Sequence, residues 1–278
     1  MQREEWGIIG AKGTELFVRE WNPDDLEASA VVCIVHGIGE HGDRYSHVAS
    51  LLTKAGMAAI ALDQHGHGRS SGKRGHIHSL DAAASDAALI VEQARTKHPD
   101  APVFLYGHSM GGNVALNCAL RLRPRIRGLI LSSPWLRLAF KPNAAAEWLG
   151  KKLVRVLPGL QQSTGLNSAD LFRPGYSVAP PVAGDLFCHT KITLRTYDEI
   201  TSGGEWALAE CGRLQVPTLL MHGTSDRITS IEASRQLSDS LGPLCERVEI
   251  EGGYHELHND LGGEDTILKM IGWMKRQL

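Results

Sequence analysis

The segment Gly107-His108-Ser109-Met110-Gly111 decides the fold. It follows a short apolar run, Val103 to Tyr106, typical of a buried strand, and precedes a helical pattern from Gly112 to Arg123. A serine with glycines two positions before and after it, between a strand and a helix, indicates a sharp turn that exposes its hydroxyl above a sheet. The glycines are needed because larger side chains would collide with the neighbouring strand and helix. The turn therefore predicts a nucleophilic serine at position 109.

Two further apolar runs supply the partners that such a serine needs. Val216 to Met221 precedes the loop of Asp226, and Arg247 to Ile250 precedes the loop of His255. Parallel strands deliver their following loops to one edge of a sheet, so the three side chains can converge. His255 would take the proton of Ser109, and Asp226 would fix the imidazole tautomer and stabilise its cation. The order serine, acid, histidine predicts nucleophilic catalysis.

Other carboxylates and imidazoles compete for these roles. Asp198 and Glu199 do not follow an obvious core strand. His258 and Asp260 fall near the predicted start of the C-terminal helix, where we interpret them as a cap and first-turn polar residues. His222 precedes a turn, and we expect a structural role for it. Asp226 and His255, in the loops after the two predicted strands, remain the preferred acid and base.

A glycine-rich loop after an early strand predicts the second half of an oxyanion hole. The strand covers residues 30–35, and the loop reads HGIGEHGDRY over residues 36–45. Two glycines let the backbone fold back toward the serine, so we expect the N–H of Ile38 to act together with that of Met110. The region also contains three histidines, His36, His41 and His47. Their spacing matches no zinc pattern, so the sequence predicts no metal site.

The chain resembles the monoacylglycerol lipase and lysophospholipase branch of the α/β-hydrolase superfamily in five blocks between residues 36 and 260: HGIGEHGDRY, LDQHGHGRSSG, GHSMGG, HGTSD and GGYHELHND. The resemblance implies the α/β-hydrolase fold and places the oxyanion N–H groups on Ile38 and Met110. It also implies that Glu40 and Arg44 shape the polar end of the pocket and bind the alcohol part of the substrate. An ion pair of Glu40 with Arg44 that only braces the loop is the alternative. Ile38 is bulkier than the small residue often found there, which predicts a narrower local pocket.

These features predict a serine ester hydrolase that cleaves monoacylglycerols or similar single-chain fatty esters through an acyl-enzyme. A lysophospholipase and a general carboxylesterase remain open alternatives. A serine aminopeptidase is disfavoured because the cap carboxylates Glu147, Asp170 and Asp185 are scattered rather than clustered. A non-catalytic binding protein of the same fold is disfavoured because it need not keep nucleophile, base, acid and both oxyanion loops. No cofactor is expected.

Length, charge and cysteine content limit the class of partner. A chain of 278 residues suffices for one large α/β domain with an insertion. The formal net charge of −2 gives no reason to expect nucleic acid. No apolar run approaches the about 18 residues of a spanning helix, and five cysteines without motif spacing favour reduced thiols. We expect a cytoplasmic protein, at most peripheral at membranes, whose partner is a small lipid ester.

Alternating apolar patterns predict a mostly parallel, eight-stranded sheet with helices on both faces. The strands are predicted at about 5–10, 14–20, 30–36, 57–62, 102–106, 126–132, 216–222 and 245–250, the first two as an antiparallel edge hairpin. The helices are predicted at about 44–55, 80–97, 110–123, 230–241 and 263–277. We interpret the glycine-rich segment from Leu62 to Ser70 as a structural turn in which Asp63 accepts backbone hydrogen bonds.

The roughly 80 residues between Ser132 and Val216 are too many for a loop. We expect residues 1–135 and 206–278 to form the hydrolase core and residues 136–205 an inserted helical cap. Residues 144–157 form an amphipathic pattern whose apolar face either packs on the core or faces lipid, with basic side chains near anionic headgroups. Residues 184–189 and 191–198 are expected to form another lid helix. A cap rich in Leu, Phe, Trp and Val predicts an apolar acyl site.

Overall fold

An eight-stranded sheet organises the computed structural model, which describes residues 1–24, 27–141, 143–173 and 184–278, and leaves the side chains of 144–147 and 168 undescribed. The strands are β1 (Gln2–Ile9), β2 (Glu15–Asn22), β3 (Val31–Val35), β4 (Ala58–Asp63), β5 (Val103–His108), β6 (Gly128–Ser132), β7 (Gln161–Ser163), β8 (Lys191–Thr193), β9 (Thr218–Gly223) and β10 (Cys245–Ile250). The main sheet has the order β1-β2-β4-β3-β5-β6-β9-β10, and β7 pairs with β8 in a separate ribbon.

Strand pairing is parallel from β4 through β10 and antiparallel at one edge. β1 pairs antiparallel with β2, and β2 pairs antiparallel with β4. Every other pair in the main sheet is parallel. The prediction of a mostly parallel eight-stranded sheet with an antiparallel edge hairpin is confirmed. Because β5, β9 and β10 run parallel, their carboxyl ends meet at one edge of the sheet.

Helices cover both faces of the sheet. They are α1 (Ser46–Lys54), α2 (Leu80–Lys97), α3 (Met110–Arg121), α4 (Ala144–Leu153), α5 (Ser168–Leu171), α6 (Leu194–Glu210), α7 (Ile231–Leu241) and α8 (Gly263–Gln277). Side chains of α2, α3 and α7 form one buried cluster with alternate residues of the strands, and α1 and α8 form a second cluster on the other face. Since successive strand residues point to opposite faces, the apolar runs of β3 and β5 contribute side chains to both clusters.

The segment before β9 differs from the prediction. Residues 184–189 form no helix, because Asp185 accepts a hydrogen bond from the N–H of Phe187 and closes a turn. The strand β8 follows, and α6 begins only after Thr193, whose hydroxyl caps it. The prediction of a lid helix over 184–189 and 191–198 is therefore wrong for its first part, because the helix begins only at Leu194. α6 also runs through the expected cap boundary at residue 205.

α6 lies directly against α3 and the segment after β6. A Cβ atom at Gly203 would come within 2.1 Å of a Leu80 side-chain carbon, and one at Gly204 within 2.1 Å of the Leu136 carbonyl oxygen. The side-chain amide of Asn117 donates to the carbonyl of Gly203. Adjacent glycines thus let this helix approach the core closely enough to form a wall above the sheet edge.

A buried ion pair holds the turn after β4. Asp63 binds the guanidinium of Arg19 through both carboxylate oxygens, at 2.5 and 3.0 Å, and both side chains are shielded from solvent. It also accepts hydrogen bonds from the N–H groups of Gly42 and Arg69, at 2.8 and 2.9 Å. The interpretation of residues 62–70 as a structural turn with Asp63 as backbone acceptor is confirmed. None of the helices within the described ranges is long and apolar enough to cross a membrane.

We expect Asp63→Ala to lower the free energy of unfolding by about 3–5 kcal/mol, because it leaves the Arg19 guanidinium buried without its counter-ion. Urea denaturation at neutral pH measures this. The matched control is Glu246→Ala, which removes an exposed ion pair with Arg276 and should cost at most about 1 kcal/mol. Burial raises the pKa of Asp63, but Arg19 outweighs it and lowers the pKa to about 2. The contribution should therefore persist at neutral pH and disappear only as the pH falls toward 2. Equal losses in both variants would contradict a special role for this pair.

Candidate active site

Ser109 stands at the sharp turn between β5 and α3. Its backbone has φ 53° and ψ −119°, a region that residues with a side chain rarely adopt. The surrounding backbone comes too close for larger residues at the two glycines. A Cβ at Gly107 would lie 2.3 Å from the Gly111 carbonyl oxygen, and one at Gly111 would lie 2.1 Å from the Val35 carbonyl oxygen. The glycines therefore permit the turn, and the turn presents the serine at the carboxyl edge of the sheet.

The structure brings Ser109, His255 and Asp226 into one hydrogen-bonded chain. The Oγ of Ser109 lies 2.9 Å from Nε2 of His255, within reach for donating its proton. On the other side of the ring, Nδ1 of His255 lies 2.8 Å from Oδ2 of Asp226. All three side chains are buried. The loops after β5, β9 and β10 thus meet as the parallel topology predicts, although the residues are far apart in sequence.

Asp226 is fixed by donors from its own loop. The N–H groups of Ile228 and Thr229 donate to Oδ1 at 2.8 and 3.1 Å, and the Thr229 hydroxyl donates to Oδ2 at 2.8 Å. His222 also lies close, with Nε2 3.2 Å from Oδ2. Burial raises the pKa of Asp226, but the two neighbouring imidazoles outweigh it and hold the pKa well below the usual value. The carboxylate is therefore ionised and rigidly oriented toward His255.

His255 is a stronger base than an ordinary histidine. Its burial lowers the pKa, but the charge and hydrogen bond of Asp226 raise it by more, so that the net pKa lies above 6.5. A histidine of this kind is neutral at slightly alkaline pH and is ready to accept a proton.

The oxyanion residues lie beside the serine. A Cβ at Gly37 would come within 3.3 Å of the Cβ of Ser109, so the loop after β3 passes next to the nucleophile. Ile38 and Ser109 line the same cavity. Met110 opens α3, and the first N–H groups of a helix have no acceptor within it. Both residues predicted for the oxyanion hole thus adjoin the serine.

Glu40 and Arg44 lie in the loop after β3, which passes beside the turn of Ser109. Glu40 accepts hydrogen bonds from the N–H of Gly37 and the hydroxyl of Tyr45, at 2.5 and 2.9 Å, and from Nε of Arg44 at 3.3 Å. Arg44 in turn donates to Glu256 at 3.1 Å. Both are buried, and neither lines the cavity at Ser109. These hydrogen bonds fit the alternative of a brace for the loop. Contact of Glu40 and Arg44 with the alcohol part of the substrate stays a prediction.

The rival residues have other roles in the structure. Glu199 accepts a hydrogen bond from the N–H of Leu80 at the start of α2. Asp260 binds Arg173 and the N–H of Tyr254. The interpretation of His258 and Asp260 as a helix cap and first-turn residues is wrong, since α8 begins at residue 263 after Gly262.

His258 is a buried member of the site that the sequence pattern did not indicate. Its ring stacks on Tyr45 at a centroid distance of 4.7 Å and meets His108 at 5.0 Å, and His108 meets His255 at 4.9 Å. Burial is the main cause that lowers the pKa of His258 well below 6.5, and the neighbouring imidazoles add to it. The ring is therefore neutral and packs against its neighbours. The position of His258 three residues after His255 is the sequence signal that could have placed it here.

A cavity of about 630 Å³ opens above Ser109. Its apolar wall is formed by Ile38, Trp135, Leu138, Phe140, Ile192 and Ile228. Residues of α6 line the cavity as well, among them Leu194, Tyr197, Asp198 and Thr201. Such a volume suits one small organic molecule. The lining thus combines apolar residues with polar residues of α6.

One group of donor atoms in the described ranges could hold a metal ion. His41, Asp185 and Cys188 bring their ligand atoms within 4.8 Å of one another. Nε2 of His41 lies 2.9 Å from Oδ2 of Asp185, a contact that joins the loop after β3 to the segment before β8. The other two histidines near this loop bind protein groups: His36 accepts from the N–H of Gln64, and His47 contacts the carbonyl of His258.

The model of the family described as serine aminopeptidase, S33, matches residues 27–262. The chain belongs to this family. A monoacylglycerol lipase of Mycolicibacterium smegmatis is 30% identical over 277 residues, which are 99% of this chain and 98% of that protein. The crystal structure of the Paleococcus ferrophilus monoacylglycerol lipase superimposes with a TM-score of 0.84 at 32% identity, over 95% of this chain and 99% of that one.

A further relative is much longer than this chain. An uncharacterised abhydrolase domain-containing protein of Dictyostelium discoideum is 32% identical over 266 residues, but the chain spans only 28% of its length. The chain thus matches 28% of that relative but 98% of the Mycolicibacterium lipase. The comparisons identify it as an ester hydrolase of the lipase type with the α/β-hydrolase fold.

We expect kcat/KM to rise with pH through the pKa of His255, with a midpoint above 6.5, because only the neutral imidazole accepts the serine proton. Initial rates on a soluble short-chain ester from pH 4 to 9 measure this. Asp226→Asn removes the charge that raises the pKa, so the residual activity of this variant should reach its plateau at lower pH. Full activity of the unmodified protein at pH 4 would contradict the role of His255.

Proposed function

We propose that the protein hydrolyses monoacylglycerols or similar single-chain fatty esters through an acyl-enzyme on Ser109. The observation that carries this proposal is the hydrogen-bonded chain from Ser109 through His255 to Asp226 at the floor of a cavity with an apolar wall. The lipase relatives support the same substrate class. Residues 136–205 serve in this proposal as the cap over the site, with α6 continuing into the core.

Acylation begins with the attack of the Ser109 Oγ on the ester carbonyl. His255 takes the hydroxyl proton at Nε2, and Asp226 stabilises the resulting imidazolium through the contact at Nδ1. The carbonyl oxygen gains negative charge, which the N–H groups of Ile38 and Met110 stabilise. The imidazolium then returns the proton to the departing alkoxide, and the alcohol leaves. Water repeats the sequence on the acyl-enzyme and releases the fatty acid.

A serine aminopeptidase is the second candidate, favoured by the family description. Such an enzyme needs anionic groups placed for the ammonium of a peptide N-terminus. Of the cap carboxylates, Asp170 lies within reach of Arg227, and Asp185 pairs with His41; the side chain of Glu147 lies outside the described residues. Neither of these two carboxylates lines the cavity, whereas Asp198 and Glu205 of α6 do, and Glu205 is paired with Arg137. Among the described residues only Asp198 then remains for an ammonium group, so the largely apolar lining fits a fatty ester better.

We expect Ser109→Ala and His255→Ala each to abolish most hydrolysis of monoacylglycerols while leaving the fold intact. Members of such a triad act as a unit, and about 10³-fold catalysis over water remains from the oxyanion hole and binding. A panel of monoacylglycerols and p-nitrophenyl esters of increasing chain length measures turnover, and circular dichroism checks the fold. A fluorophosphonate probe should label the unmodified protein and spare Ser109→Ala.

Ser133→Ala is the control for this experiment, since it removes a nearby serine hydroxyl outside the triad and should leave labelling unchanged. Near-parental turnover in either triad variant would refute the assignment. Turnover of N-terminal peptide amides without turnover of any fatty ester would establish the aminopeptidase instead.

We also propose that α4 and the residues after it touch an anionic lipid surface, while the protein itself remains cytoplasmic. Large apolar side chains stay exposed there: Trp148 59%, Leu149 50%, Val156 74%, Leu157 51% and Leu160 48%. The basic residues Lys151, Lys152 and Arg155 lie among them, and Lys152 sits 4.0 Å over the Trp148 ring. Apolar side chains beside cations match the interface of an anionic bilayer. Of the two interpretations of the amphipathic pattern, this exposure supports lipid contact.

We expect the double variant Trp148→Ser with Leu157→Ser to bind vesicles of phosphatidylcholine and phosphatidylglycerol about tenfold more weakly, because it removes apolar area that the bilayer would bury. Cosedimentation measures the binding. Hydrolysis of a soluble short-chain ester should stay unchanged. The matched control is Leu268→Ser, which alters an equally exposed leucine on α8. Equal binding by all three proteins would exclude this surface.

A further inference from the structure

Three metal-binding side chains meet where the loop after β3 contacts the segment before β8. His41 belongs to the loop, and Asp185 and Cys188 belong to the segment. Nε2 of His41, a carboxylate oxygen of Asp185 and Sγ of Cys188 all lie within 4.8 Å of one another. Imidazole, carboxylate and thiolate are the protein groups that bind Zn²⁺. We call these three residues the loop–cap cluster.

The turn from Asp185 to Cys188 orients two of the donor groups. The N–H of Phe187 donates to Oδ1 of Asp185 at 2.9 Å, and the N–H of Cys188 donates to the carbonyl of Asp185 at 3.2 Å. The other carboxylate oxygen, Oδ2, lies 2.9 Å from Nε2 of His41. Metal ligands are typically oriented by such outer hydrogen bonds. The turn therefore presents a carboxylate and a thiol, three residues apart, to the imidazole.

The imidazole of His41 is also held in place. Its side chain is buried, and the ring of Phe187 meets it edge-on at a centroid distance of 5.8 Å. The N–H of His189 donates to the carbonyl of Gly39 at 2.8 Å, which ties the two backbones together beside the cluster. The side chain of Asp185 keeps 14% of its surface exposed. An ion therefore reaches the cluster from solvent without unfolding either segment.

The donor set selects Zn²⁺ over the common hard cations. Ca²⁺ and Mg²⁺ prefer oxygen ligands alone, whereas a thiolate together with an imidazole suits Zn²⁺. The ligand atoms of a tetrahedral zinc site lie about 3.4 Å apart, given metal–ligand bonds of roughly 2.0–2.3 Å. The 2.9 Å hydrogen bond between His41 and Asp185 has to lengthen by about half an ångström to admit the ion. Side-chain torsions alone supply a shift of this size.

We infer that the loop–cap cluster binds one Zn²⁺ ion through His41, Asp185 and Cys188, with water as the fourth ligand. The thiol proton of Cys188 goes to solvent, and the neutral imidazole keeps its single proton on Nδ1. Thiolate and carboxylate then balance the charge of the ion. The coordinate bonds join the loop that carries Ile38 to the cap segment that leads through β8 into α6. Zinc binding here is independent of the proposed ester hydrolysis.

Cobalt substitution tests for the thiolate ligand. Reduced protein stripped of metal is titrated with Co²⁺, which replaces Zn²⁺ and shows a near-ultraviolet charge-transfer band when it is bound to thiolate. The band should saturate at one ion per chain and disappear when Zn²⁺ is added. Cys188→Ser should abolish the band. The matched control is Cys245→Ser, which removes another half-buried free thiol and should leave the band unchanged.

Competition with a chromogenic chelator measures the affinity for Zn²⁺. His41→Ala and Asp185→Asn should each weaken binding at least about tenfold, the smallest loss typical of an outer partner of a metal site. Asp185→Asn keeps an oxygen that accepts from the N–H of Phe187, so the turn is preserved. Saturating Zn²⁺ should raise the midpoint of thermal unfolding of the parent protein and of Cys245→Ser, but not of Cys188→Ser, because only the folded cluster binds the ion.

Loss of the band in Cys188→Ser alone, together with weaker zinc binding in His41→Ala and Asp185→Asn, supports the site. A parent protein without the band, or a band that Cys188→Ser retains, overturns it. An unchanged zinc affinity in His41→Ala or Asp185→Asn overturns it as well, because the ion then lies elsewhere. Ester turnover enters none of these measurements, so a failure of the proposed function leaves their result unaffected.

Discussion

The two halves of the candidate site are joined by one buried carboxylate. Glu40 binds the N–H of Gly37 at the entrance of the oxyanion loop and, through Arg44, reaches Glu256, the residue next to His255. Burial lowers the pKa of Arg44, but the two glutamates raise it above the usual value, so the cation is permanent. The chain of charges ties the loop after β3 to the loop after β10. The segments that carry Ile38 and His255 are thus linked by buried ion pairs.

Most of the fold was predictable because its signals are local. Apolar runs of four to six residues, followed by glycine or acidic turns, place the parallel strands within a few residues of their observed ends. The convergence of Ser109, His255 and Asp226 follows from the same logic, since a parallel sheet must bring the loops after β5, β9 and β10 to one edge. The helices α2 and α8 begin and end where their patterns predict.

The remaining features depend on contacts that a local pattern does not encode. The sequence shows a charged pair at positions 40 and 44, but only the fold decides whether it faces a ligand or Glu256. The same holds for His258, whose burial comes from Tyr45 and His108, both distant in sequence. The length of α6 was missed because Gly203 and Gly204 weaken the helical signal, although they are the residues that let it approach the core.

The strained backbone of Ser109 lowers the stability of the folded protein. A residue with a side chain held at φ 53° costs on the order of 1–3 kcal/mol, and glycine at the same turn would relieve most of that cost. Thermostability therefore favours glycine at this position, whereas the proposed chemistry requires serine. A laboratory selection for resistance to heat alone would favour Ser109→Gly, which gives a more stable protein that lacks the serine hydroxyl. The surrounding sheet has to carry a surplus of stability so that this one strained residue can persist.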